Sequence, residues 1–307
     1  MENENQTYVH EFILNGLSQD PKTQHLLSAL FTIIYVFTMF GNLSLILIVL
    51  VSAHMHTPMY YFLCHLSFLD LFYSSTTVPK MLQIMLFSGG GKISLIGCLT
   101  QMCANIFLGE TECVLLAVMV YDRYVAICFP LHYLVIMSWK KCRSITVTLC
   151  LASLVFSTLP TILKPPVFCR VNIIDHFICE SIALVKLLCG DSSFHESIIF
   201  FGSFFTLLAP FLCVMMSYIC IITSIMKISS LSGRTKLFST CASHLTVVLM
   251  FYGTSMAMYL GHKKHQNQKY VAIIYGIICP MLNPIIYSLR NKDVKVTAIK
   301  ILIRMST

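Results

Sequence analysis

Five ionisable side chains stand within or at the ends of long apolar stretches: Asp70, Glu110, Glu112, Asp122 and Arg123. A charge in such a setting costs about 3 kcal/mol or more, so each is a candidate for function. Asp70 lies midway along residues 58–87, and Glu110 and Glu112 lie midway along 98–121. Two carboxylates at similar depth repel unless they share a proton or a small hard cation. Asp70 and Glu112 therefore suggest a water-filled polar centre that holds a proton or sodium, the alternative being internal hydrogen bonding with Asn42, Asn283 and nearby serines. Asp122 and Arg123 adjoin at the end of their stretch, in Met119-Val120-Tyr121-Asp122-Arg123-Tyr124. An ion pair there can hold the guanidinium until a helix movement offers a better partner, or can act as a plain interfacial anchor. Pro280, Asn283, Pro284 and Tyr287 share another stretch. Two prolines bend a helix and free carbonyls, which Asn283 is placed to satisfy, and Tyr287 can change partners when the bend changes.

The stretches that carry these residues can only be membrane helices. Of 307 residues, 57% are hydrophobic and 11% charged, with a mean hydropathy of +0.78. A soluble surface needs about 25% charge, so an ordinary cytosolic enzyme is excluded. Apolar runs at about 26–50, 58–87, 98–121, 144–163, 197–226, 237–260 and 271–289 are long enough to span. They lack the alternation of a barrel. The expected fold is an all-α membrane protein, a bundle of seven transmembrane helices at 26–289. A tail of 1–25 precedes it, and a tail of 290–307 follows with a short interfacial helix. Val294, Ala298, Ile301, Leu302 and Met305 form the apolar face of that helix, with Lys292, Lys295, Lys300 and Arg304 beside it. The N-terminus has no cleavable signal pattern, so the first span is expected to act as targeting signal. No internal repeat relates the two halves, which counts against a transporter.

Twelve Lys and Arg fall on one side of the spans and nine on the other. The positive-inside rule makes the first side cytoplasmic and the N-terminus extracellular, in a multi-pass plasma-membrane protein. Asn5 then heads an exposed glycosylation sequon. Of fourteen cysteines, Cys98, Cys169, Cys179 and Cys189 lie on the outer side, where three pairings are open.

Four longer segments carry a resemblance: Met119 to Tyr133 (MVYDRYVAICFPLHY), Pro280 to Lys295 (PMLNPIIYSLRNKDVK), Lys236 to Leu245 (KLFSTCASHL) and Thr57-Pro58-Met59-Tyr60. With Leu66 to Asp70 and Phe251-Tyr252-Gly253, they make the chain similar to the tetrapod-type olfactory receptors of the rhodopsin-like G-protein-coupled class. The resemblance implies a receptor that binds small volatile molecules and activates a stimulatory, olfactory-type heterotrimeric G-protein, raising cyclic AMP. It implies no enzyme activity, no nucleic acid partner and no cofactor beyond a possible sodium ion at Asp70 and Glu112. A chemosensor outside the nose, or a proton- or sodium-coupled transporter, is the competing reading. By the same resemblance Asp122, Arg123, Tyr124, Tyr218, His244, Asn283, Pro284 and Tyr287 form the activation switch and coupling surface. Disulfides are implied between Cys98 and Cys179 and between Cys169 and Cys189.

The resemblance places the ligand in the outer half of the bundle. Counting helical turns from the matched motifs selects Asn105, Ile106, Gly109, Glu110, Gly202, Ser203, Thr206, Tyr252, Ser255, Tyr259 and Ile273. Val120 and Leu237 replace alanines usual in the family and remain apolar. Glu110 replaces a residue that is often small: ionised and facing the pocket, it opens the site to a hydrogen-bond donor or an amine; protonated, it hydrogen-bonds within the bundle. The segment from Cys179 to Cys189 lacks the family's paired prolines.

Overall fold

The computed structural model describes residues 9–87, 91–168, 172–228, 230–259, 268–290 and 294–300. Among them seven long helical rods pack side by side. Asp20 caps the first, accepting from the Thr23 amide (2.9 Å) and hydroxyl (2.6 Å), and Pro21 occupies the first turn where its missing N–H costs nothing. This cap starts α1 (Pro21–Val51) five residues before the apolar run begins. The others are α2 (Pro58–Leu86), α3 (Leu95–Cys128), α4 (Trp139–Leu163), α5 (Ser193–Met226), α6 (Leu231–Tyr259) and α7. The last joins Gln268–Ile273, a π segment Ile274–Ile278 and Cys279–Arg290. α5 has its own π segment at Phe204–Leu208.

Five rods, α1, α3, α4, α5 and α7, are long and apolar enough by themselves to cross a bilayer. α2 carries Asp70, Ser74, Thr77 and Lys80 on its length, and the first three are buried against its neighbours. The usual distribution of a soluble protein is inverted. Phe37, Phe40 and Leu47 of α1 are more than half exposed, whereas Asn42, Asp70, Asn105, Glu112 and Asp122 are buried. Lipid is the solvent that makes this arrangement favourable. α3 is central, touching α2, α4, α5 and α6, while α1 closes the ring against α2 and α7.

The all-α expectation needs one amendment. A small sheet caps one end, formed by β1 (Glu11–Leu14), β2 (Lys92–Ser94) and β3 (Ile173–Ile174) in the order β2-β1-β3. β1 pairs antiparallel with β2 (Phe12 opposite Ile93) and parallel with β3 (Ile13 opposite Ile173). Phe12 and Leu14 turn inward and Glu11 outward, a period-two pattern too short to be read without its partners. Gly91 lets β1 come close, since a Cβ there would stand 2.5 Å from the Leu14 carbonyl oxygen. Residues 294–300 are helical, with Val294 buried and Thr297 Oγ1 3.2 Å from His54 Nε2. Lys292, Ile301, Leu302, Arg304 and Met305 of the expected interfacial helix lie outside the described residues, as does Asn5.

Candidate functional site

The sheet continues into a lid. Cys179 is joined to Cys98 at the start of α3, and its amide donates to Gln101 Oε1 at 3.0 Å. Cys189 is also disulfide-bonded, and Cys169 lies outside the described residues. Lys269 of α7 donates to Asp175 at 2.6 Å, and the ammonium and its hydrogen bond hold that carboxyl below the usual range. His176 is buried beside Asp175 and stacks on Phe177 at 4.6 Å. Its Nδ1 accepts from the Ile178 amide at 3.2 Å. Burial, helped by the Lys269 charge, pushes its pKa down to about 4.

Glu180, next to the bridged cysteine, is buried. Its Oε1 accepts from Tyr259 at 2.6 Å and its Oε2 from Tyr275 at 3.3 Å. Burial raises its pKa, and the bonds from Tyr259, Tyr275 and Ser181 oppose that rise. This carboxylate was not a candidate in the sequence, although the expected Cys98–Cys179 bridge already places its neighbour over α3. Below it lies a cavity of about 700 Å³. Asn105, Ile106, Gly109 and Glu110 of α3 line it, with Gly202, Ser203 and Thr206 of α5 and Ser255 and Tyr259 of α6.

Two expected lining residues are elsewhere. Tyr252 is fully buried with its hydroxyl on the Cys113 carbonyl oxygen at 2.7 Å, so it fastens α6 to α3, and the adjacent Phe251 faces the cavity. Ile273 gives way to Tyr275. Counting turns outward from Pro280 assumed 3.6 residues per turn, and the count crosses Ile274–Ile278, where the wider π geometry rotates the face presented. Tyr73 of α2 also lines the cavity.

Deeper along α3, Asn283 donates to both carboxylate oxygens of Asp70 at 3.0 Å. The carbonyl of Pro280, deprived of its helical donor by Pro284, is instead satisfied by Asn42 Nδ2 at 3.1 Å. The expected role of Asn283 in that bend thus belongs to Asn42. Glu112 Oε1, Asn42 Oδ1, Ser74 Oγ and Thr77 Oγ1 are buried with no partner. Of these, the Glu112 oxygen, with the nearby Asp70 carboxylate, is of the kind a small hard cation takes. Among the described residues no group of three or more His, Cys, Asp or Glu could hold a metal ion.

At the far end of α3, Asp122 accepts from Tyr133 at 2.8 Å. Among the described residues no ion pair joins Asp122 to Arg123. Adjacent residues on a helix point in different directions, which frustrates the ion pair their adjacency suggested. Tyr133 closes the same MVYDRYVAICFPLHY segment and was legible only as part of it. Tyr218 of α5 donates to the Cys241 carbonyl oxygen at 3.4 Å and lies 3.2 Å from His244 Nδ1. The His244 ring is 5.9 Å from that of Tyr287. Neither His244 Nε2 nor the Tyr287 hydroxyl has a partner. His244 therefore touches both Tyr218 and Tyr287, and Tyr124 packs edge-on against Phe129 at 5.6 Å.

Residues 31–305 match the family described as "Olfactory receptor". The chain is 43% identical over 302 residues to olfactory receptor 2A7 of Mus musculus, covering 97% of both chains. It is 46% identical over 309 residues to olfactory receptor 13F1 of Homo sapiens (98% of this chain, 95% of the relative). Against olfactory receptor 1 of Rattus norvegicus the identity is 45% over 299 residues, covering 96% and 95%.

Proposed function

Since this chain belongs to the olfactory receptor family, we propose that it is an odorant receptor whose ligands enter the lid-covered cavity and whose opposite end engages a G-protein. In this reading all seven rods cross the plasma membrane, with the N-terminus and lid outside and residues 290–307 in the cytoplasm. The observation that carries it is the division of labour along α3. An apolar cavity with a few polar groups lies under the lid, and at the other end Arg123 is close enough to underpaired His244 and Tyr287 to act on both electrostatically. Apolar walls with sparse polar groups suit small volatile molecules. A ligand favours the signalling arrangement only by binding it more tightly than the other.

Arg123 is then the residue the G-protein meets, flanked by Asp122 and Tyr124. Tyr218, His244, Asn283, Pro284 and Tyr287 supply the rearranging contacts between α5, α6 and α7. Asp70 and Glu112 would hold a sodium ion, which would neutralise their mutual repulsion. The partner is a stimulatory, olfactory-type heterotrimeric G-protein, and the output is cyclic AMP. The chain forms and breaks no covalent bond. The test is an odorant screen with a cyclic AMP reporter on the chain and on Arg123→Ala. The unaltered chain is expected to respond and the variant to reach the cell surface with its response abolished. A response that survives in Arg123→Ala would overturn the arginine's role, and ion or solute flux in sealed vesicles without G-protein would favour a transporter.

A further inference from the structure

Two polar atoms on the α3 wall of the cavity lack partners, and they are complementary. Asn105 is 6% exposed; its Oδ1 accepts from Thr76 Oγ1 at 2.7 Å, which leaves Nδ2 as a buried donor with nothing to donate to. Glu110, farther from the lid, has Oε2 buried without a donor. Both residues line the cavity. Several other polar groups on its walls are engaged, the Tyr259 and Tyr275 hydroxyls on Glu180 and Thr206 Oγ1 on the Gly202 carbonyl at 2.9 Å, and the Ser203 and Ser255 hydroxyls line it as well. A third unpartnered atom, His195 Nδ1, belongs to the opposite wall, where its ring is tied to the Lys164 carbonyl oxygen at 3.1 Å.

A buried donor or acceptor without a partner is costly, and a ligand that completes it gains what the apo protein lacks. We infer that the cavity selects a bifunctional ligand, an apolar skeleton bearing a hydrogen-bond acceptor such as a carbonyl near the lid for Asn105 and a hydroxyl or amine deeper down for Glu110. Five residues of helix separate the two, about 7.5 Å along the axis. The inference rests on the reading of this cavity as the odorant site and specifies the ligand class it takes. Between its ends the ligand meets Ile106, Phe251 and Leu207, which ask only for apolar surface.

The experiment uses the full chain in cells with a cyclic AMP reporter. Linear hydroxy-ketones of varied spacer are compared with the matching mono-alcohols, mono-ketones and diols, and with a broad odorant panel. One hydroxy-ketone spacing is expected to exceed both monofunctional analogues by about tenfold in potency, the worth of one well-made hydrogen bond. Asn105→Asp keeps an acceptor for Thr76 but removes the free donor, and should erase only the ketone's share. Glu110→Leu should erase only the hydroxyl's share. Surface labelling normalises each variant, and the ligand series on the unaltered chain decides even if a variant fails to fold. Mono-alcohols or diols that equal the hydroxy-ketones, or responses confined to unrelated odorants, would overturn the ligand class and leave the receptor reading intact. Silence to every compound would remove the receptor reading itself, and this inference with it.

Discussion

Two buried carboxylates, Glu180 under the lid and Glu112 in the middle of the bundle, are treated in opposite ways. Glu180 has hydroxyl donors on both oxygens, from helices α6 and α7, and sits beside a disulfide. Glu112 keeps one oxygen without a partner, and the underpairing continues through Asn42 and Ser74 to His244 and Tyr287. A fully satisfied polar cluster has one good arrangement, whereas a partly satisfied one has several of similar energy. The Glu180 cluster is therefore held in one arrangement, while His176 Nε2 in the same lid and the polar atoms beyond the cavity stay unpartnered, and that second group is the freedom the proposed switching would use.

The pH dependence of the lid offers the largest test of its fixity. Unfolded, His176 gains its proton near pH 6.5; folded, it resists until about 4. The unfolded state thus binds more protons across that window, and stability present above pH 6.5 is lost as pH falls towards 4, by up to about 3 kcal/mol. Glu180, raised by burial, works in the opposite direction, since its protonation on acidification relieves the burial cost. Melting temperature of the purified chain, followed from neutral pH down to pH 4.5, should fall, and His176→Gln should flatten the curve. An unchanged slope in His176→Gln would place the acid sensitivity elsewhere.

Glu180→Leu is next in size. It strands the Tyr259 and Tyr275 hydroxyls and should cost about 2 kcal/mol, read as lower thermal stability, with Glu180→Gln recovering part of the loss. No difference between the two substitutions would mean that hydrogen bonding does not hold the lid.

The smallest stability effect is expected in Tyr287→Phe, within about 0.5 kcal/mol, because the hydroxyl removed has no partner in this arrangement. Odorant-driven cyclic AMP should nonetheless drop severalfold, if the hydroxyl is used only after rearrangement. A large loss of stability, or a normal response, would erase the contrast between the two clusters.

How much was readable beforehand follows the same division. Long apolar runs give helices with little ambiguity, because lipid leaves the backbone no other way to satisfy itself. Boundaries were less legible: Asp20 and Pro21 start α1 ahead of its apolar run. Glu11 to Leu14 reads as tail until Lys92–Ser94 and Ile173–Ile174 are beside it, since pairing partners that distant leave no local trace. Tyr275 in place of Ile273 was hidden by a π turn, Asn42 in place of Asn283 at the Pro280 carbonyl by packing between α1 and α7, and Tyr133 at Asp122 by a loop whose path the sequence does not fix.

β1 also sets an order of assembly. Its parallel partner lies at Ile173, 160 residues further on by subtraction from Ile13, and the bridge from Cys98 must reach Cys179. The first strand to be synthesised therefore waits, unpaired on that side, until α1 through α4 have been made and the lid segment has emerged. Phe12 and Leu14, buried in the finished molecule, spend that interval without their core. β1 is thus among the last parts to find its place, and a bulky insertion abutting Glu11 would interfere with closing the lid rather than with inserting the first helix.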